Sequence, residues 1–453
     1  MSDLPTRVFR AEWVLPVAAP PVRDGAVLVG ADGRIAAVGP RLALEPPEGA
    51  EVVELGRAAL LPGLVNVHAH PELALYRGGL EDLRFRDWIL RLVGSKRAAL
   101  TDADYGVAAR WAMVESLRAG ITTLAATEMS GASAGALREA GMRGVVYRET
   151  FGPDPAQAED SVAELRAAVE ELRRGETELV RVGISPHAPY TVSDRLFAAA
   201  AEYALAEELP VAVHAAESEA EDDLVVRGGG DFAPGLRARG IGTPARGRST
   251  VEMLDRLGVL RARPLLIHCV RLDADDVRRV ADAGAAVAHC PVANARLGHG
   301  VAPYPELREA GVRVGLGTDS VGSNNRTDLL EEARVASVLH RAVLRSPDYL
   351  PAEELLRLAT LDGARALGLD GRTGSLEPGK DADLCAVSLA APHARPVHDP
   401  FAAVLHAARG TDVVLAAVRG RILFQGGRVL TLDEAALEEA VEEAAARLGE
   451  HLR

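Results

Sequence analysis

Two histidines one residue apart, in His68-Ala69-His70, are the first feature of this 453-residue chain that could do chemistry. In a strand, residues i and i+2 point the same way, so the pair delivers two imidazoles to one face, as a metal chelate requires. A lone His-x-His says little. Here His214 and Asp319 join it, each at the C-terminal end of another apolar, β-branched run. Three imidazoles and one carboxylate on strand tips make a ligand set for one divalent metal ion. Zinc fits such a set, and Fe2+ also suits it. His187 and His268 stand at two further strand ends and His289 at a seventh. His299, His340, His393, His398, His406 and His451 read as structural or solvated.

The elements that must position these groups follow from periodicity. Eight β-branched runs, at 64–70, 121–129, 144–152, 180–189, 210–218, 264–270, 285–291 and 313–320, alternate with Ala/Leu/Glu/Arg-rich helical stretches. Alternation of this kind marks βα units around a parallel sheet, and eight is the number of a (β/α)8 TIM barrel, whose active sites lie at the C-terminal strand ends. No Gly-rich phosphate fingerprint opens the first βα turn, which weakens a dinucleotide-binding reading. Residues 1–62 and 372–430 are short β-rich runs broken by turns, with Asp32-Gly33 as a hairpin signal. They are expected to form one composite β-sandwich beside a barrel spanning 63–371. The tail, 431–453, reads as a helix with Thr431 and Glu434 in a capping-box pattern and Leu437, Val441, Ala444 and Leu448 on one face.

Composition narrows the function. Lys+Arg of 51 against Asp+Glu of 65 leaves a net charge of −14, which disfavours nucleic acid or an anionic membrane as partner. No run approaches a membrane span and the N-terminus lacks the pattern of a signal peptide, so a cytoplasmic protein is expected. Three cysteines without a Cys-x-x-Cys pair read as buried thiols. Only Lys96 and Lys380 are lysines, and neither falls on a strand tip.

The segments LLPGLVNVHAH, GTDS and GSLEPGKDADL, with the strand-tip histidines, closely resemble the amidohydrolase superfamily. The resemblance implies the barrel-plus-sandwich fold and a hydrolase. Many binuclear members bridge their metals through a carbamylated lysine at the fourth strand end. That run ends here in SPHAPY, so the resemblance implies a mononuclear site held by His68, His70, His214 and Asp319. His214-Ala215-Ala216-Glu217 looks like the His-x-x-Glu of the deaminase and chlorohydrolase branch. Attack of hydroxide on an aromatic ring carbon requires the ring nitrogen to be protonated as charge develops, and a carboxylic acid at Glu217 could supply that proton. By resemblance, His268 and Asp319 steer and deprotonate the water.

The same resemblance extends to substrate. His187 in SPHAPYTVS, Ser323 in SVGSNN and Trp88 look like substrate-side positions of deaminases acting on adenosine-type nucleosides. S-adenosylhomocysteine deaminases carry a ribose-binding glutamate where Arg97 stands here. Arg97 lies in a basic segment, RFRDWILRLVGSKR, suited to carboxylate recognition, with Arg148 a further candidate. YRETFGPDP, NNRTDLLEEAR and LGHGVAP also look similar to deaminases of 6-amino-6-deoxyfutalosine, a menaquinone-pathway nucleoside with a benzoate arm, making it the favoured substrate. S-adenosylhomocysteine or 5′-methylthioadenosine deamination, another purine or pterin deamination, and a triazine chlorohydrolase or aminohydrolase activity are the alternatives. Relatives of this kind are often dimers, which leaves a homodimer open.

Overall fold

The computed structural model describes residues 4–452. Five strands open the chain: β1 (Arg7–Val14), β2 (Val22–Val29), β3 (Ile35–Pro40), β4 (Glu51–Glu54) and β5 (Ala58–Pro62). The β2–β3 hairpin turns at Asp32-Gly33, where the alternating runs on either side predict it. Eight strands follow: β6 (Leu64–Ala69), β7 (Ile121–Glu128), β8 (Arg143–Thr150), β9 (Val180–Pro186), β10 (Ala212–Ala215), β11 (Leu265–His268), β12 (Ala286–His289) and β13 (Arg313–Leu316). Each matches one of the eight runs read from the sequence.

Every hydrogen-bonded pair among β6–β13 is parallel, and the strands form two four-stranded sheets, β6-β7-β8-β9 and β10-β11-β12-β13. Parallel bridges Ile184–Val211 and Ala69–Asp319 join the outer edges of one sheet to those of the other. One seam therefore runs through the predicted ligands, with the Asp319 amide donating to the His68 carbonyl at 3.0 Å. Side chains alternate between two cores. Val145 and Tyr147 on β8, Ala212 on β10 and Ile267 on β11 pack together in an inner cluster, while Val146, Val213 and Leu266 join the large cluster shared with the helices.

The last strands, β14 (Leu384–Ser388), β15 (Val413–Val418), β16 (Arg421–Gln425) and β17 (Arg428–Val429), return to β5. Both chain ends thus share one nine-stranded sheet, ordered β17-β16-β15-β14-β5-β1-β2-β3 with β4 beside β1. Ala59 and Leu61 on β5 turn into the large cluster, and Leu60 turns into a separate core with Phe9, Val27, Leu384 and Leu415. The chain passes from β5 to β6 through Gly63, where a Cβ would meet Thr122 Oγ1 at 2.0 Å, so no side chain fits that crossing.

The tail is helical over Glu434–Gly449, and Leu437, Ala444 and Leu448 are its buried face. Its cap differs from the expected Thr431–Glu434 box. Asp433 caps the helix by accepting from the Ala436 amide, whereas the Thr431 hydroxyl donates to the Ala140 carbonyl and Glu434 accepts from the Val429 amide. Arg453, the last residue of the expected tail, lies outside the described residues.

A buried ion triad ties the end segments to β8. Arg143 Nε lies 2.7 Å from Asp383 Oδ2 and Arg143 Nη2 lies 2.8 Å from Asp381 Oδ2, with all three side chains at most 2% exposed. Removing one partner of such a network strands an uncompensated buried charge. Arg143→Ala is expected to lower stability by about 3–5 kcal/mol in urea unfolding, whereas Arg10→Ala, whose partner Glu54 is half exposed, costs less than about 1 kcal/mol.

Candidate active site

Inward-facing alternation brings His214, two residues beyond Ala212, to the mouth enclosed by β6–β13. Parity alone would turn His268 away, because Leu265 and Ile267 face the inner cluster. The backbone corrects this with positive φ at His268 (73°) and Cys269 (50°), and the same left-handed turn occurs at Ala216 (53°) and Asp319 (57°). Non-glycine residues in this region are strained, and these four stand at or just beyond strand tips that carry the predicted chemistry.

The four predicted metal ligands converge. His68 Nε2 and His70 Nε2 lie 3.4 and 3.6 Å from Asp319 Oδ1, and His70 Nε2 lies 3.3 Å from His214 Nε2. The second nitrogens are occupied elsewhere: His68 Nδ1 is 3.2 Å from Thr127 Oγ1, and His214 Nδ1 is 3.1 Å from the His187 carbonyl. A backbone carbonyl accepts a hydrogen bond from Nδ1–H, which leaves the His214 Nε2 lone pair free. Burial lowers the pKa of all three imidazoles, that of His70 well below its ordinary value and that of His214 to about 3, so they stay neutral at pH 7. Burial pushes Asp319 up, but the close approach of His68 and the surrounding imidazoles outweighs it and holds the carboxyl well below its usual range. Ser323 donates to Asp319 Oδ2 at 2.8 Å, leaving Oδ1 turned to the histidines.

These residues fit a divalent metal. His68 Nε2 is a buried atom with no hydrogen-bond partner, and ring nitrogens of His68, His70 and His214 lie within 4.8 Å of one another, a spacing that one shared cation satisfies. Glu149, His187 and His214 form a second grouping with ligand atoms within 4.8 Å of one another. It shares His214, whose single free nitrogen can serve only one of the two sets, and the first set also holds Asp319.

Glu217 sits beside this cluster in its own cage. Its Oε1 lies 3.5 Å from His268 Nε2 and 3.4 Å from His299 Nε2, and its Oε2 accepts from Tyr190 Oη at 3.4 Å. Burial raises the Glu217 pKa, yet His268 and His299 outweigh it and bring the carboxyl down to about 2. The loop is braced from below, where Glu221 accepts the amides of Ala216 and Glu217 and the hydroxyl of Thr250. His268 is oriented through Nδ1 by Asn294 Oδ1 at 2.9 Å.

The expected substrate-side residues divide. His187 stands against His214, with ring centroids 4.7 Å apart, and its Nδ1 is 2.7 Å from Thr191 Oγ1. Trp88 is buried, donates its indole N–H to the Gly322 carbonyl at 3.1 Å and stacks on Phe85. Two of the expected residues stand apart from the cluster. Arg97 is exposed on the helix Phe85–Ala99, and Arg148 turns to the Glu149 carbonyl at 2.8 Å, so neither is brought to the cluster. Lys96 of the same basic segment is paired with the buried Glu72. His289 ends β12 but faces His340 at 3.4 Å, away from the ligand set. The sequence reading also missed His299, although its place between two glycines at 298 and 300 was a signal. A cleft of about 400 Å³ opens beside Glu217, lined by Phe85, Glu219, Asp223, Asp231, Arg271 and His299. Among the described residues no helix is long and apolar enough to cross a membrane.

The amidohydrolase family model matches residues 59–423. A 5-methylthioadenosine/S-adenosylhomocysteine deaminase of Syntrophobacter fumaroxidans is 35% identical over 415 residues, covering 90% of each chain. A 5′-deoxyadenosine deaminase of Methanothermobacter thermautotrophicus is 34% identical over 434 residues, covering 94% of this chain and 95% of the relative. Among solved structures, an adenosine deaminase from Xanthomonas campestris with bound zinc superposes with a TM-score of 0.87 at 29% identity over 98% of both chains.

If the lone-pair geometry of the cluster serves a metal, its hydrogen-bonded supports matter too. Thr127→Val, which removes the partner of His68 Nδ1, is expected to weaken metal binding about 10–100-fold in a chelator competition, and His214→Ala more than that.

Proposed function

The chain belongs to the amidohydrolase family and is a hydrolase of carbon–nitrogen bonds in cyclic amidines, and from that premise we propose that it removes the 6-amino group of an adenine-type nucleoside as ammonia. The observation that carries the proposal is Glu217, an ionised and fully caged carboxylate, beside three neutral imidazoles and Asp319. His68, His70, His214 and Asp319 would hold one divalent ion, with zinc favoured by the zinc-containing structure of similar fold. When bound, such an ion lowers the pKa of water from 15.7 to about 7.

The chain's own groups then divide the proton work. Asp319 Oδ1 and His268 Nε2 face the cluster, where they orient the attacking water and take its proton. Glu217, ionised at rest, takes up that proton and passes it to the ring nitrogen next to the attacked carbon, so that the tetrahedral centre forms without a stranded negative charge, and then relays the second proton of the water to the leaving amine. The exocyclic amine leaves as ammonia once protonated, and an oxo group replaces it. His187, beside His214, is the residue best placed to meet the substrate's ring or sugar. The Ser323 hydroxyl and the Trp88 indole N–H are engaged by Asp319 and Gly322, so both act by positioning.

We read the nucleoside's 5′ group as uncharged or cationic rather than anionic. Glu219, Asp223 and Asp231 outnumber Arg271 along the cleft, and the basic segment that suggested a carboxylate arm contributes Phe85 to its lining and none of its basic residues. That favours 5′-deoxyadenosine and 5′-methylthioadenosine over 6-amino-6-deoxyfutalosine. In the same reading the two four-stranded sheets, bridged at both edges, are halves of a (β/α)8 barrel over 63–371. The nine-stranded sheet built from the described residues of the two end segments is its sandwich, followed by the helix Glu434–Gly449.

Ammonia release from the zinc-loaded protein is expected with 5′-deoxyadenosine or 5′-methylthioadenosine and to be weaker with 6-amino-6-deoxyfutalosine. A reversed order overturns the reading of the cleft, and turnover of triazines alone overturns the nucleoside. Glu217→Gln is expected to keep its zinc and lose at least ~10²-fold in kcat, and near-normal turnover would remove Glu217 from the chemistry.

A further inference from the structure

His299 lies outside the metal ligands, on the loop that follows the short helix Pro291–Arg296. Its side chain is 5% exposed, its Nε2 is 3.4 Å from Glu217 Oε1, and its ring meets Phe85 edge-on with centroids 4.5 Å apart. Its backbone is fixed as tightly: the His299 amide donates to the Asn294 carbonyl at 2.8 Å. The side chain of that same Asn294 orients His268. One residue thus sets both imidazoles that face Glu217 Oε1. Gly298 (φ 73°) and Gly300 (φ 109°) allow the loop to double back, and the second value is closed to ordinary side chains.

A buried imidazole nitrogen aimed at a buried carboxylate, with no other hydrogen-bond partner, is costly unless the contact does something. We propose that His299 is a positioning residue that, with His268, holds Glu217 in the orientation and ionisation state from which it begins each proton transfer. The inference rests on the reading of Glu217 as proton carrier. The titratable and charged groups around His299 are Glu217 and His268, Tyr190 across the carboxylate, and Glu219, Asp223, Asp231 and Arg271 along the cleft. Glu219, Asp231 and Arg271 are exposed and screened, and the half-buried Asp223 is paired with Arg227, which leaves Glu217 as the dominant partner.

The test compares His299→Ala, His299→Gln and Glu217→Gln in the zinc-loaded enzyme, with 5′-methylthioadenosine as probe and zinc content measured for each. His299→Ala is expected to lower kcat by at least ~10-fold with a smaller change in KM, and to move the acid limb of kcat/KM upward, since one group favouring the Glu217 carboxylate is lost. His299→Gln, which keeps an N–H donor, is expected to recover much of that loss. Unchanged kcat and acid limb in His299→Ala overturn the proposal, as does a loss that His299→Gln fails to restore or that tracks lost zinc. Imidazole ¹⁵N spectra supply a readout that needs no turnover. The resonance missing from His299→Ala is expected to shift in Glu217→Gln, and its failure to move also overturns the inference. If Glu217→Gln is itself fully active, the underlying mechanism fails first, whereas an inactive Glu217→Gln with an unaffected His299→Ala rejects His299 alone.

Discussion

Three imidazoles and two carboxylates are kept out of water at one end of the eight strands, and most of the surrounding structure follows from making that tolerable. Burial by itself drives both kinds of group toward neutrality. The histidines obey it and stay unprotonated. Asp319 and Glu217 do not, because imidazole nitrogens lie within 3.6 Å of their oxygens. Other buried carboxyls show the opposite outcome under the same burial. Glu149 is pushed up to about 8 and Glu128 and Glu221 to about 7, mainly by burial. What distinguishes the two sets is which side chains face them, so the site's charge pattern comes from placement rather than depth.

Placement in turn depends on backbone that would be unfavourable elsewhere. Positive φ at His268 aims a side chain that strand parity would misdirect, and the same left-handed turn recurs at Ala216 and Asp319, at roughly 1–3 kcal/mol each. The seam between β6 and β13 passes through His68 and Asp319, so edge pairing and ligand convergence are one constraint. On the opposite flank, Arg143 between Asp381 and Asp383 locks the terminal sheet against β8.

The eight strands and the histidines on them were legible because periodicity and residue type both speak locally. His68, His70, His214, Asp319, Glu217 and His268 come together as their strand-tip positions imply. What failed were inferences from linear clustering. Arg97 belongs to a basic segment in the sequence, but its helix presents it to solvent, and Lys96 is neutralised by Glu72, a contact across 24 residues that no local pattern announces. Arg148 fails by one position: β8 alternates, Glu149 takes the inward direction and Arg148 the other. The capping box failed similarly, since Asp433 was available two residues beyond Thr431 and captured the helix start. The glycines on either side of His299 marked a tight loop, but not that the loop folds back to meet Glu217, a pairing across 82 residues of sequence.

The site is built from two sets of elements with little overlap. The candidate ligand set comes from β6 and the end of β13, whose backbones bond to each other, and from β10, which is held by β11. The Glu217 cage comes from the loop after β10, the tip of β11, Tyr190 and the segment 291–300, with Asn294 serving both imidazoles through different atoms. A short helix followed by two glycines can shift by fractions of an ångström without disturbing a strand. Changes there alter how the carboxylate is held while the ligand geometry stays fixed. Such a division lets one hydrolytic scaffold adjust its proton chemistry to different rings and leaving groups at the loop, where variation costs the least stability.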